Sequence, residues 1–149
     1  YIDYLNTAFF IRKIYRSDIQ GKKVFEIGEK HYFNDIGIRN AITGYSPFDL
    51  GNIIENVVFN QLNFLGYKIY IGKSGSKEID FICERSGEKI YIQVALRIEE
   101  KETFEREFGN LLEVKDNYPK FVITLDEYTG NTYEGIIHLP LRRFLKEFE

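Results

Sequence analysis

The sequence has no methionine and no tryptophan, and only one cysteine, three prolines and two histidines in 149 residues. A single thiol, Cys83, excludes an internal disulfide and fits a reducing, cytoplasmic setting. His31 and His138 each stand alone, and a lone histidine is more often a structural polar group than a ligand. No apolar run reaches membrane-spanning length, and no signal peptide opens the chain. Basic excess is also missing. The formal net charge is −3, whereas a general nucleic-acid binder usually carries a stronger basic surplus. The charge is uneven: residues 1–45 hold 7 Lys/Arg against 5 Asp/Glu, and residues 46–149 hold 13 against 18. Without any methionine, the sequence is expected to be a piece of a longer chain. What it has in plenty is aromatic: 13 Phe and 11 Tyr argue for a folded domain with a real core, not for disorder.

The periodicities place the elements. Residues 1–9 begin with helical spacing, FFIRKIY reads as a strand, SDIQG as a turn and KKVFEI as a second strand. A short helix followed by a two-stranded ribbon suggests the end of a winged helix, with Arg12, Lys13, Arg16, Lys22 and Lys23 as candidate nucleic-acid contacts. The bland alternative is a solvated edge hairpin guarded by lysines. A short helix from Asp35 to Ile42 follows, and Gly44–Pro47 marks a boundary, dividing residues 1–45 from 46–149. From about Pro47 or Asp49 to Leu65, Leu50, Ile53, Ile54, Val57, Val58, Leu62 and Leu65 form an apolar helical stripe that Gly66 stops.

Beyond it the spacing predicts strands over 67–72, 78–84, 89–96, 119–125 and 135–139, helices over 99–115 and after Pro140, and a turn at DEYTGN. That is an α/β order with a central mixed sheet of five strands. Gly72-Lys73-Ser74 imitates the end of a phosphate-binding loop. The preceding Gly66 is at the wrong distance and a strand follows where a helix should, so ATP binding is rejected for this chain.

The organising stretch runs from Lys77 to Arg97. Ile79, Phe81 and Cys83 alternate with polar residues, and so do Ile90, Ile92 and Val94 after Ser86-Gly87, a plausible two-residue hairpin turn. Pairing Arg85 with Glu88 puts Asp80 opposite Gln93 and Glu78 opposite Ala95. Cβ atoms of directly opposed residues lie roughly 4.5–5.5 Å apart. An acid and an amide should then sit side by side.

An acid, a short gap, then E/Q-x-K on the next strand is the signature of PD-(D/E)XK nucleases, which this hairpin resembles. Asp80 matches, Gln93 is a variant of the second acid, and Ala95 replaces the lysine. More broadly, YIDYLNTAFFIRK, EKHYFNDIGIRNA, GNIIENVVFNQL, GKSGSKEIDFICE, KIYIQVA and GIIHLPLRRFL occur in this order in the C-terminal domain of unknown function of a family of prokaryotic AAA-type ATPases, which the whole chain resembles. The family's usual motif is EVDF followed by IEVK; Glu78-Ile79-Asp80-Phe81 keeps the first half, and Ile92-Gln93-Val94-Ala95 has lost both charges of the second.

The resemblance implies a restriction-endonuclease-like core, with an ATPase domain upstream as partner and the sole source of ATP binding. In such folds the helix before the first core strand often carries an acid of the metal site, here Glu55. Phosphodiester cleavage needs Mg²⁺ or Mn²⁺ held by carboxylates. Asp80, Glu55 and Gln93 would be the catalytic and metal-binding set. Ala95 cannot orient water or stabilise charge, a loss typically worth about 10²–10⁴-fold. Arg97 or Lys77 are the replacements that sequence offers, though arginine cannot act as a base. Two expectations stay open: a non-catalytic module serving its ATPase in assembly, regulation or target recognition, and a metal-dependent DNA nuclease with a variant site. Any contact with DNA should be weak.

Overall fold

A computed structural model describes residues 2–19, 23–98, 101–126 and 132–148. Lys22, the start of the expected helix at Glu99 and nearly all of the DEYTGN turn lie outside the described residues. The elements are α1 (Ile2–Thr7), β1 (Ile11–Asp18), β2 (Val24–Phe33), α2 (Ile36–Thr43), α3 (Leu50–Phe64), β3 (Lys68–Ser74), β4 (Lys77–Arg85), β5 (Glu88–Val94), α4 (Lys101–Leu112), β6 (Lys120–Thr124), β7 (Thr132–Tyr133), β8 (Ile136–Pro140) and α5 (Leu141–Glu147).

The chain is α/β, and its sheet is mixed, in the order β2-β1-β3-β4-β5-β6-β8-β7. Among the described residues the sheet has eight strands, not the expected five. The added three are β1, β2 and the short β7. The first hairpin joins this sheet: β1 runs parallel to β3, with Arg16 opposite Ile71, Ser17 opposite Gly72 and Asp18 opposite Lys73. Ser17 and Asp18, expected in a turn, belong to that strand. Sequence could not show this, because parallel neighbours are joined through a long crossover and leave no local turn signal.

Helices cover both faces. Ile54, Val58, Phe59 and Leu62 of α3 and Phe144 of α5 pack with Tyr32, Ile69, Ile71, Phe81, Cys83, Ile90, Ile92 and Ile123. Phe108 and Leu111 of α4 pack on the opposite face with Ile79, Ile82, Tyr91, Val122 and Ile136. Coverage on both sides explains why the central strands read as nearly continuous apolar runs. Cys83 is fully buried, and burial pushes its thiol up, so it is an inert core residue.

Two local features position the site. The hairpin turn forms as expected: Ser86 and Gly87 both take positive φ, 54° and 86°, the conformation that a type I′ turn requires. It sets the register Arg85↔Glu88 through Phe81↔Ile92. The second feature breaks the expected alternation. Between β3 and β4 the pairing jumps from Tyr70↔Ile82 to Gly72↔Ile79, so β4 carries one extra residue at Asp80-Phe81. This bulge sends Ile79 to the α4 face while Phe81 and Cys83 face α3. Bulges re-aim side chains in this way.

Candidate functional site

The β4–β5 ladder ends at Phe81↔Ile92, and beyond it side chains take over the pairing. The Asp80 N–H donates to Gln93 Oε1 at 3.2 Å. The Val94 N–H donates to Asp80 Oδ2 at 2.8 Å. The expected meeting of Asp80 and Gln93 therefore occurs, but the amide bonds the Asp80 backbone, not its carboxyl group. Glu78 does not lie opposite Ala95. Glu78 pairs with Lys73 of β3, and the Ala95 N–H donates to Ile123 O of the next strand. Strands that have splayed apart cannot keep the extrapolated register.

Glu55 of α3, the acid that the resemblance singled out, lies in this group. The residue that gathers the acids is Lys30 of β2. Its Nζ lies 3.1 Å from Glu55 Oε1, 2.8 Å from Glu78 Oε1 and 3.7 Å from Asp80 Oδ1. The last distance is too long for a hydrogen bond. Tyr32, two residues on and so on the same face of β2, donates its hydroxyl to Glu55 Oε1 at 2.5 Å. Its ring is stacked on Phe59 at 4.4 Å and tilted against Phe81 at 5.6 Å, so core packing aims the hydroxyl. Asn56 fixes the strand itself, accepting from the Phe33 N–H at 2.9 Å and donating to Phe33 O at 2.7 Å.

From the first hairpin's other strand, Arg16 donates through Nε to Glu78 Oε2 at 3.0 Å. Gly28 stands beside it with φ of 83°, and a Cβ there would meet the guanidinium at 2.9 Å. Of the five basic residues suggested as nucleic-acid contacts, Arg16 is thus engaged in the acid cluster and Lys13 is paired with Glu29 at 3.0 Å. Arg12 and Lys23 are exposed.

Electrostatics follow from this packing. Burial, then the charge of Glu55, raise the Asp80 carboxyl to about 8, against the opposing pull of Lys30 and the Val94 N–H. Burial would lower Lys30, but Glu55, Asp80 and Glu78 outweigh it and hold its ammonium up at about 12. Burial also tends to raise Glu78, yet Lys30 and Arg16 bring it below the usual carboxylate range. Asp80 is therefore pushed towards its protonated form.

A fourth acid, Glu107 of α4, lines the same groove as Glu78, Asp80 and Gln93. It is 3% exposed, its Oε1 accepts from Arg106, and its Oε2 has no hydrogen-bond partner among the described residues. Sequence reasoning missed Lys30, Tyr32, Glu78 and Glu107 as members of the site. Glu107 stands in the charge-rich run EEKETFEREF, where nothing in the spacing marks it out from its neighbours. Lys30 and Tyr32 carried one weak signal, an i, i+2 spacing in EKHYF. The proposed stand-ins for Ala95 do not reach Asp80: Lys77 is paired with Glu113, and Arg97 is exposed on a groove shared with Glu55, Ala95 and Glu107.

The resemblance implies a divalent metal, and the residues do not fit one. Among the described residues no group of three or more His, Cys, Asp or Glu side chains is arranged to hold an ion. Lys30 takes the space between the three acids, presenting three N–H donors where a metal would need converging oxygen ligands.

A Haemophilus influenzae protein titled "Uncharacterized protein" is 39% identical to this chain over 136 residues, 91% of the chain and 33% of that protein. The chain thus spans about a third of the relative's length. No protein-family model matches the sequence, and no solved structure matches it. Among the described residues, no helix is long and apolar enough to cross a membrane.

Proposed function

We infer that this chain is a non-catalytic module with a nuclease-like core that serves an AAA-type ATPase of the same longer polypeptide in assembly, regulation or target recognition. One observation carries the reading: the Lys30 ammonium lies among Glu55, Glu78 and Asp80, while Ala95 stands where the nuclease motif needs lysine. Hydrolysis of a phosphodiester by this chemistry needs a metal to polarise the phosphate and generate hydroxide. A cluster already neutralised by a lysine offers that metal little.

Two further facts support the reading. From α3 onward the order helix, three strands, helix, strand, strand, helix follows the restriction-endonuclease-like core order, with only β7 added. The matching Haemophilus segment is one third of a longer protein, as a module would be. Gly72-Lys73-Ser74 lies within β3 with β4 after it, so ATP is assigned to the upstream domain alone.

Plasmid cleavage with Mg²⁺ and Mn²⁺ titrations, on this chain and on the longer protein, tests the reading. No cleavage is expected, and deleting the segment should change the ATPase rate or assembly of the longer protein. Metal-dependent cleavage abolished by Asp80→Ala would refute it. A second reading, a DNA nuclease with a variant site, draws on the 3.7 Å from Lys30 to Asp80, where an ammonium from β2 would replace the one lost at Ala95. Under that reading Lys30→Ala abolishes cleavage.

A further inference from the structure

We propose that the α4 face of the sheet carries a binding cleft for a small amphipathic organic anion, an aromatic body with a carboxylate, sulfonate or phosphate head. The inference does not rest on the non-catalytic reading and uses none of the acids around Lys30.

The cleft follows from how the sheet is covered. Eight strands spaced about 4.8 Å apart make a sheet roughly 34 Å across. Against it α4 has 12 residues, so it is about 18 Å long and about 10–12 Å wide. It packs on β4, β5, β6 and β8 and ends at Leu112, which leaves part of this face open. There a cleft of about 820 Å³ lies between the end of α4, the start of β3 and the β4–β5 hairpin. Its floor is apolar: Ile79 and Tyr91 are each 1% exposed and Val114 is 8% exposed. Small-molecule sites commonly measure about 300–1,000 Å³ with such a lining and a few placed polar groups.

Strand alternation sorts the charges around it. Ile69, Cys83 and Ile90 face α3, so their neighbours Lys68, Glu84 and Lys89 face α4. Arg85 and Glu88 fall on the α3 side, where Arg85 lies 4.5 Å from the Tyr67 ring centre and donates to Leu65 O at 3.0 Å. Lys68 is opposite Glu84, and Glu84 is opposite Lys89. That row holds two ammonium groups and one carboxylate. Glu84 pairs with Lys89 at 3.3 Å, and Lys68 stands 5.2 Å from the Tyr70 ring centre. The other acids facing the cleft are matched as well. Glu113 pairs with Lys77, and Asp116 accepts from Lys120 at 3.2 Å and from the Tyr91 hydroxyl at 2.5 Å. Lys115 donates to a neutral carbonyl, Leu112 O, at 3.3 Å. Among the described residues, neither Lys68 nor Lys115 has a carboxylate within ion-pair reach.

Two exposed ammonium groups are therefore left over beside an apolar floor. The floor gains by burying an apolar body, and the ammonium groups gain a charge-assisted bond to an anionic head. Tyr118 sets the shape of the body. It is exposed at the rim, with Lys89 5.8 Å from its ring centre, and offers a ring for stacking.

Fluorescence titration of the 149-residue chain with anilinonaphthalene sulfonate, and with its uncharged analogue phenylnaphthylamine, tests the proposal. The sulfonate should bind at one site about tenfold more tightly than the neutral probe, since each partly exposed ion pair is worth up to about fivefold. Its affinity should fall as salt rises. Lys68→Gln with Lys115→Gln should weaken the sulfonate by about tenfold and leave the neutral probe within about twofold. Both lysines are exposed, so the double variant keeps the fold. Lys146→Gln, an exposed control on α5, should change neither affinity. Amide NMR shifts on binding should concentrate at Lys68, Ile79, Tyr91 and Val114. Absent sulfonate binding, or equal affinity for the two probes, overturns the proposal. So does a double variant that binds the sulfonate like the wild type, or a Lys146→Gln variant weakened as far as the double variant. Shifts confined to the exposed rings of Phe48 and Phe64 would overturn it too, by placing the probe elsewhere.

Discussion

Asn56→Ala tests how the first hairpin is held to the rest of the sheet. Asn56 is 3% exposed and its amide bonds both backbone groups of Phe33, at 2.9 and 2.7 Å. β2 is an edge strand, so these are outward groups that no neighbouring strand can satisfy. Removing the amide deletes two hydrogen bonds, each worth about 0.5–1.5 kcal/mol net, so the loss should be about 1–3 kcal/mol. Phe33 is only half-buried, which lets water reach the freed groups and keeps the cost from rising further. For a domain of this size that loss lowers the melting temperature by roughly 3–10 °C. Urea unfolding at pH 7 should show the midpoint falling with an unchanged slope. Amide exchange at Phe33 should accelerate more than at Phe81 in the sheet centre. Because β2 also carries Lys30 and Tyr32, the variant should loosen the acid cluster without touching any acid. Asn56→Asp keeps the acceptor but sets a charge against Phe33 O, and should destabilise at least as much. A loss below about 0.5 kcal/mol, within the range of ordinary surface substitutions, would refute the docking argument.

Gly72→Ala should cost about 1–3 kcal/mol by overpacking, since a Cβ there meets the Ile79 Cβ at 3.0 Å and the Ile82 side chain at 3.1 Å beside the bulge; an unchanged denaturation midpoint would count against the bulge geometry. Asp80 should titrate far above an ordinary aspartate, towards about 8, in carboxyl ¹³C NMR. The unfolded chain then releases this proton first, so from pH near 4 up to about 8 the group erodes stability as pH rises, and the wild type should lose ground steadily to Asp80→Asn over that window. An Asp80 that titrates below 5 ends that argument. Short duplex DNA should not bind tightly near 150 mM salt, because the net charge is −3 and Lys13 and Arg16 are already paired. Nonspecific binders lie near 10⁻⁴–10⁻⁶ M, so a sub-micromolar dissociation constant in a fluorescence anisotropy titration would contradict this.

The sequence by itself determined what depends on neighbours along the chain. Ser86-Gly87 specified the turn, the turn specified the register, and the register brought Asp80 to Gln93. Helical spacing from Leu50 onward and Gly66 bounded α3 and placed Glu55 on its flank. The short helix expected from Asp35 to Ile42 forms as α2, with Asp35 as its cap accepting from the Ile38 N–H. Only the tertiary structure decided the rest. The parallel pairing of β1 with β3 joins segments more than fifty residues apart, and no local pattern records such a partner. The extra residue in β4 appears only against the residues of β3, because a bulge is a property of two strands together. Lys30 becomes the centre of the site for the same reason. In the sequence it is one lysine among several on an edge hairpin. In the fold β2 is tied to α3 through Phe33 and Asn56, and three acids from two other elements lie around the ammonium.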